Sequence, residues 1–307
     1  MRTVLLAGGT GGAKLAHGLQ QVLSPGELSV IVNVGDDFEL RGLLVCPDLD
    51  TVMYTLAGLA DAKQGWGLAG DTQTAMSMLQ RYGEETWFRV GDADLATHLH
   101  RAERLRAGAS LTDATAAMAA ALGVPSRLLP ATDERLRTVI RTDAGEIDFQ
   151  AYFVRHRQRD EVRGLRFDGA DAARPTAAAL DALRNAELIV IGPSNPLVSI
   201  GPILAISGYR EALAQASVTR IGVSGIVAGK ALRGPADRML ATLGHEATAR
   251  GVAQLYAGLL DRFVIDEADA DLAPSIAQLG MEPVVLSSIM RTDADRAELA
   301  RAVIGLA

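Results

Sequence analysis

The opening fifty residues restrict the fold more than any other part of the chain. A short apolar run, Thr3–Ala7, leads into Gly8-Gly-Thr-Gly-Gly12, then into a helical stretch over Gly12–Leu23 and a second apolar run over Leu28–Val34. Continuous apolar runs this short read as strands buried on both faces, and two of them joined by a helix imply a parallel, right-handed crossover. Glycines between a strand end and a helix start aim free backbone N–H groups and the positive end of the helix at one point, which suits a phosphate. Four aspartates follow, Asp36, Asp37, Asp48 and Asp50. Hard carboxylate oxygens of this kind suit a divalent cation such as Mg²⁺ bridging a diphosphate. Together these features point to a chain that handles a phosphorylated nucleotide.

Each signal also has a plainer explanation. Glycines in such a turn serve close packing as well as ligands, and an aspartate at a helix start serves as a cap. The run lacks the Lys-Ser or Lys-Thr of a P-loop and matches the dinucleotide fingerprint only loosely. Lys14 follows closely enough to reach a phosphate or simply to be solvated. Four aspartates within so short a stretch exceed what capping needs.

The same alternation continues downstream. Strands are expected at Glu187–Ile191, Thr219–Val223, Arg262–Ile265 and Pro283–Leu286. Helices are expected near Asp50–Ala60, Asp71–Arg81, Ala177–Asn185, Gly208–Ala216, Asp237–Leu243, Ala247–Leu259, Asp269–Leu279 and Asp293–Gly305. Between Trp66 and Asp168 the pattern changes to Ala-rich helices, Asp94–Ala107 and Leu111–Leu122, followed by short strands at Arg137–Arg141, Ile147–Phe149 and Tyr152–Arg155. The expected architecture is therefore α/β, a Rossmann-like three-layer parallel sheet with a large, mainly helical insertion. Residues 1–65 and 169–307 would form the nucleotide-binding core and 66–168 an inserted substrate or lid region. Gly192-Pro-Ser-Asn-Pro196 closes a strand at the same sheet edge as the first glycines, which makes Ser194 and Asn195 candidate ligand contacts. Ser224–Lys230 is a weaker candidate of the same type.

Composition excludes several classes of function. A net charge of −7 argues against a nucleic-acid partner. The most apolar stretch, Leu188–Ile206, is broken by prolines and glycines, so no membrane span is expected. A single cysteine, Cys46, allows no internal disulfide, and a cytoplasmic setting follows as the expectation. Within Asp92–His100 the pair His98 and His100 sits two residues apart, on different sides of a helix, which is wrong for gripping zinc. No GxSxG elbow supports a serine hydrolase.

Taken in order, the motifs resemble those of the 2-phospho-L-lactate transferases of deazaflavin coenzyme F-420 biosynthesis. They are GGTGGAKL at Gly8–Leu15, NVGDD at Asn33–Asp37, CPDLDT at Cys46–Thr51, WFRVGDADLATH at Trp87–His98 and LLPATD at Leu128–Asp133. FQAYFVR at Phe149–Arg155, IGPSNPLVSIGPILA at Ile191–Ala205, GKALRGPAD at Gly229–Asp237 and FVIDEAD at Phe263–Asp269 complete the series. Gly225 and Ala228 depart from the family pattern, which often has Pro and Gly there.

The resemblance implies a Mg²⁺-dependent, homodimeric enzyme. It would transfer a phospho-three-carbon acid (2-phospho-L-lactyl, phosphoenolpyruvyl or phosphoglyceryl) from a guanosine diphosphate-linked donor to the deazaflavin Fo, with release of GMP and formation of F-420-0 or its dehydro form. It places Fo near Asp50 and Arg89 and the guanosine diphosphate near the glycines. The candidate site is then Asp50 as the catalytic group that orients or deprotonates the Fo hydroxyl. Gly8, Gly9, Thr10, Gly11, Gly12, Lys14, Ser194 and Asn195 would hold donor phosphates, and Asp36, Asp37 and Asp48 the metal. Two other readings compete: a nucleotide-sugar-binding regulator of the related gluconeogenesis-factor family, and an NAD-dependent oxidoreductase suggested only by the glycines and the sheet.

Overall fold

A computed structural model describes residues 1–61 and 63–307. The chain opens with β1 (Thr3–Ala7), α1 (Gly9–Val22) and β2 (Leu28–Val32), and then forms a small hairpin, β3 (Phe38–Leu40) and β4 (Leu43–Val45). Helices α2 (Pro47–Leu56), α3 (Thr74–Arg81), α4 (Asp92–Arg106) and α5 (Leu111–Ala121) precede strands β5 (Arg127–Pro130), β6 (Arg137–Thr142), β7 (Gly145–Asp148) and β8 (Gly164–Asp168). The second half runs α6 (Ala177–Arg184), β9 (Leu188–Ile191), α7 (Gly201–Ala205), α8 (Tyr209–Gln215), β10 (Arg220–Val223), β11 (Ile226–Val227) and β12 (Lys230–Ala231). It ends with α9 (Ala236–Thr242), α10 (Ala249–Leu255), β13 (Arg262–Asp266), α11 (Ala273–Ala277), β14 (Glu282–Leu286) and α12 (Asp293–Ile304).

Seven strands form one sheet in the order β14-β13-β10-β9-β1-β2-β5, every neighbouring pair parallel. All residues of β1, β2 and β9 are buried, as their unbroken apolar sequences require. Each fully buried Leu or Ile there contributes about 2 kcal/mol by leaving water. Helix α1 packs against α2 and α12, and its Gly18 allows the approach to α12, since a Cβ there would lie 2.1 Å from the Arg296 carbonyl oxygen. Strand order reverses between β1 and β9, so the chain leaves their C-terminal ends in opposite directions. That divergence opens a crevice, the place where open α/β sheets hold ligands.

Four expectations need correction. The glycine run is not a free loop: helix α1 starts at Gly9, so only Gly8 precedes it, in an extended conformation. Residues 66–168 are not wholly outside the sheet, because β5 pairs with β2 and forms its edge. Its four residues end in proline, and an edge position tolerates the lost N–H. Tyr152–Arg155 is helical rather than extended, a single π-helical turn over Ala151–Arg155. Phe149 and Phe153, four residues apart, stack there with centroids 5.5 Å apart, and this local packing overrides the β preference of Tyr, Phe and Val. Strand β8 completes a separate antiparallel sheet, β7-β6-β8, that the sequence reading lacked. Among the described residues no helix is long and apolar enough to cross a membrane.

Candidate active site

A cleft of about 730 Å³ opens at the crevice and is lined from the ends of β1, β9 and β10, from α2 and α4, and from residues 64–67, 87–89 and 232–236. Of the residues singled out from the sequence, Gly8, Gly9, Thr10, Gly11, Lys14, Asp36, Asp48, Asp50, Arg89, Ser194 and Asn195 line it. Gly12 and Asp37 do not.

At the glycine end, packing and ligand-binding requirements coincide. The Gly8 N–H donates to Ser194 Oγ at 3.1 Å, and the Gly9 N–H donates to Asp48 Oδ1 at 2.8 Å. A Cβ on Gly8 would fall 2.4 Å from Asp48 Oδ2, one on Gly11 2.2 Å from the Pro193 carbonyl oxygen, and one on Gly12 2.5 Å from Ser194 Oγ. The glycines therefore let α1 begin directly against the Gly192–Pro196 turn, and Gly12 is a packing residue rather than a lining one. The amides of Thr10 and Gly11 belong to the first helical turn, which cannot satisfy them internally, and both residues line the cleft. Asn195 caps a π-helical turn over Pro196–Ile200: its Oδ1 accepts from the Leu197 and Val198 amides at 2.9 and 3.3 Å. Lys14 donates from Nζ to the Met290 carbonyl at 2.8 Å, and burial, with Arg296 and Arg233 nearby, lowers its pKa.

Asp36 and Asp48 are held by one side chain. Asn33 Nδ2 donates to Asp36 Oδ1 at 3.1 Å and to Asp48 Oδ2 at 2.9 Å. Burial pushes Asp36 well above the ordinary carboxylate range and Asp48 adds to the shift by repulsion. Burial raises Asp48 itself to about 6, against the hydrogen bonds from Asn33 and Gly9. Among the described residues these two acids meet amides but no cationic side chain, the condition in which a bound cation does most to offset the cost of their charge. Asp37 departs from expectation. It turns away from the cleft toward Cys46, and burial raises it to about 8 although Arg137 and the Cys46 hydrogen bond oppose the shift.

Asp50 lies two residues beyond Asp48 in the first turns of α2 but meets different partners. Arg101 Nη2 donates to its Oδ1, and its Oδ2 lies 3.7 Å from His98 Nδ1. His98 Nε2 faces Asp94 Oδ2 at 3.6 Å, and Tyr54 donates from its hydroxyl to Asp94 Oδ1 at 2.8 Å. Asp94 stays ionised: burial works against its charge, but His98 and the Tyr54 hydrogen bond lower its pKa overall. Arg89 lies at the exposed rim of the same cleft.

One oxygen or nitrogen from each of Asp50, Asp94 and His98 fits within 4.8 Å, the spacing of a metal site. Arg101 argues against that use. Its Nη1 lies 3.2 Å from His98 Nδ1, and a guanidinium has only donors, so Nδ1 must accept and Nε2 must carry the proton of the neutral ring. A nitrogen that carries a proton does not ligate a metal.

Sequence reasoning set aside His98 by comparing it with His100; the informative spacing was Asp94 to His98, four residues on one helical face. It also missed the aromatic wall of Trp66, Trp87, Phe88, Phe149 and Phe153 that lines the cleft. Trp87, Phe88 and Phe38 form one cluster, with centroids 4.8 to 6.2 Å apart. The WFRVGD segment carried that signal.

The cleft thus joins backbone amides and an acidic pair at one end with an aromatic wall and an arginine-paired aspartate at the other. Comparisons with known proteins identify the family to which the chain is similar. Residues 3–302 match the family model described as 2-phospho-L-lactate transferase CofD. A phosphoenolpyruvate transferase of Streptomyces griseus is 43% identical over 314 residues, covering 100% of this chain and 98% of the relative. One of Nocardia farcinica is 42% identical over 319 residues, covering 100% and 95%. A crystal structure of a UPF0052 family member from Bacillus halodurans shares the fold, with a TM-score of 0.63 at 17% identity over 99% of this chain and 98% of that one.

Proposed function

The chain belongs to the CofD family of 2-phospho-L-lactate transferases, and from that premise we propose that it transfers a phosphoenolpyruvyl group from a guanosine diphosphate-linked donor to the deazaflavin Fo. GMP would leave and dehydro-F-420-0 would form. The family match sets aside the oxidoreductase and regulator readings. The choice of donor acid rests on the relatives named phosphoenolpyruvate transferases. One observation carries the rest: the start of α1, the acidic pair Asp36 and Asp48, and Asp50 all open into one cleft.

In this reading the Fo hydroxyl oxygen attacks the phosphorus that bears the three-carbon acid. The bond from that phosphorus to the bridging oxygen breaks, GMP leaves with the bridging oxygen, and the hydroxyl proton passes to Asp50. Charge gathers on the phosphoryl oxygens as this happens. The Thr10 and Gly11 amides would donate to those oxygens, and Lys14 and Arg233, also at the cleft, would add positive charge. Asp36 and Asp48 would hold Mg²⁺, which when bound would neutralise diphosphate charge. Asp50 would accept the hydrogen bond of the attacking hydroxyl, and the aromatic wall would receive the deazaflavin ring. The same reading includes a homodimer, which sedimentation would detect at twice the monomer mass.

The deciding experiment supplies the purified protein with Mg²⁺, Fo and, in turn, the guanylylated donors of phosphoenolpyruvate, 2-phospholactate and phosphoglycerate. GMP and dehydro-F-420-0 should form fastest from the first. GMP release that does not depend on Fo, or no product from any donor, would refute the assignment. Asp50→Asn should lower transfer by about 10²- to 10⁴-fold, and full activity in that variant would remove Asp50 from the chemistry.

A further inference from the structure

Behind the cleft wall lies Arg101, the largest fully buried side chain among the described residues, with 0% exposure. It does not line the cleft, yet it touches two residues that do. Nη2 donates to Asp50 Oδ1, and Nη1 reaches His98 Nδ1 and the Leu44 carbonyl of β4, both at 3.2 Å. Helix α4 is thereby tied to α2 and to the hairpin that carries Phe38.

As a stabilising device this arrangement is poor. Burying a guanidinium and a carboxylate is expensive, and an apolar replacement of similar volume is often neutral or stabilising. The cluster is not even fully satisfied, since Asp50 Oδ2, His98 Nε2 and Arg101 Nε have no hydrogen-bond partner among the described residues. What the arrangement does supply is geometry. With one carboxylate oxygen taken by Arg101, the plane of the Asp50 carboxylate is fixed and a single oxygen is left for another partner. With Nδ1 forced to accept, His98 is held as the tautomer that points its N–H toward Asp94.

We propose that Arg101 is a positioning residue for the transfer reaction, orienting Asp50 directly and His98 through its tautomer so that the acceptor hydroxyl is held in line with the phosphorus. The inference rests on the reading above in which Asp50 meets that hydroxyl. Reacting atoms must lie within about 3–3.5 Å for attack, and a misplacement of about 1 Å can cost 10²-fold in rate. Removal of Arg101 is therefore felt at the acceptor and not at the donor.

The test is a double-mutant cycle on the full-length protein, using Arg101→Met, Arg101→Lys, Asp50→Asn and the double variant Asp50→Asn/Arg101→Met. Arg101→Met should lower kcat/KM for Fo by about 10²-fold, while KM for the guanylylated donor changes by less than about threefold, within uniform binding. Arg101→Lys keeps a charge near Asp50 but cannot span Asp50, His98 and Leu44 together, so it should fall between Arg101→Met and the wild type. In the Asp50→Asn background Arg101→Met should cost little further, because a group that acts through Asp50 has nothing left to orient.

Wild-type Fo kinetics in Arg101→Met would overturn the proposal. So would equal damage to donor and acceptor parameters in both Arg101 variants, or a full additional loss in the double variant. Should Arg101→Met not fold, Arg101→Lys and its cycle with Asp50→Asn decide the matter by the same criteria. Full activity of Asp50→Asn alone would refute the role of Asp50 itself, an outcome separable from all of these.

Discussion

Asp48 and Asp50 sit two residues apart in the first turns of one helix, and their surroundings differ in kind. Asp48 faces Asp36 across Asn33 with no cationic side chain, and burial raises its pKa to about 6. Asp50 is paired with a buried arginine and lies beside a histidine. Period explains the divergence, because a step of two residues turns about 200° around a helix and so points the side chains to nearly opposite sides. One end of the cleft is left with uncompensated negative charge and the other has its own counter-ion. The first is an electrostatic demand for a cation; the second is a carboxylate already paired with a cationic side chain.

The largest effect expected from this contrast is on turnover. Asp48→Asn should lower transfer by about 10³-fold by removing half of the acidic pair proposed to hold the cation. It should leave equilibrium binding of Fo nearly unchanged, whereas Asp50→Asn should weaken it. The two variants measured side by side for Fo binding and for turnover would break the comparison if they behaved alike.

Next in size is a coupling between pH and metal. A carboxyl whose pKa is higher in the folded state than in the unfolded state binds more protons when folded, so stability falls as pH rises. For Asp48 the loss runs from the unfolded pKa near 4 up to about 6 and amounts to about 3 kcal/mol; Asp36 extends it in the same direction. A bound cation offsets that loss. Thermal melts should therefore show Mg²⁺ raising Tm clearly at pH 8 and hardly at all at pH 5, where the pair is largely protonated. Asp48→Asn should abolish the shift and Asp50→Asn should preserve it. A Mg²⁺ effect independent of pH would sink the account of the acidic pair.

The two ends of the cleft were unequally legible in the sequence. The parallel strands were visible because strands buried on both faces read as unbroken apolar runs, as in Leu28–Val32 and Leu188–Ile191. The glycines and aspartates of the donor end were visible because they lie close together and each sits at a strand end. The proposed acceptor end draws on residues far apart in sequence, among them Asp50, Trp87, Arg101 and Phe149, and no local period links them. Arg101 lies in a helix whose charged residues otherwise look like a solvated face, so nothing in its neighbourhood marks it as buried. Edge strand β5 was missed for a related reason, since four residues ending in proline carry too little pattern to stand out. Asp36 and Asp37 were grouped because adjacent aspartates look equivalent in a string, whereas the turn after β2 sends one toward the cleft and the other toward Cys46.

The smallest effect tests whether the aromatic wall belongs to the acceptor end alone. Trp87 is half-buried, lines the cleft and packs edge-on against Phe88 with centroids 5.8 Å apart, so its neighbours hold its ring plane in place. Trp87→Leu keeps apolar volume but removes the flat face, and the aromatic contribution beyond area burial is about 1 kcal/mol. Fo binding should weaken about fivefold, with KM for the guanylylated donor and the Mg²⁺-dependent Tm shift unchanged. The selectivity matters more than the magnitude: an equal loss for donor and acceptor would mean that the wall serves the guanine as well. The deazaflavin would then have to bind elsewhere along the cleft, and the separation into a cation-demanding end and an alcohol-holding end would no longer describe it.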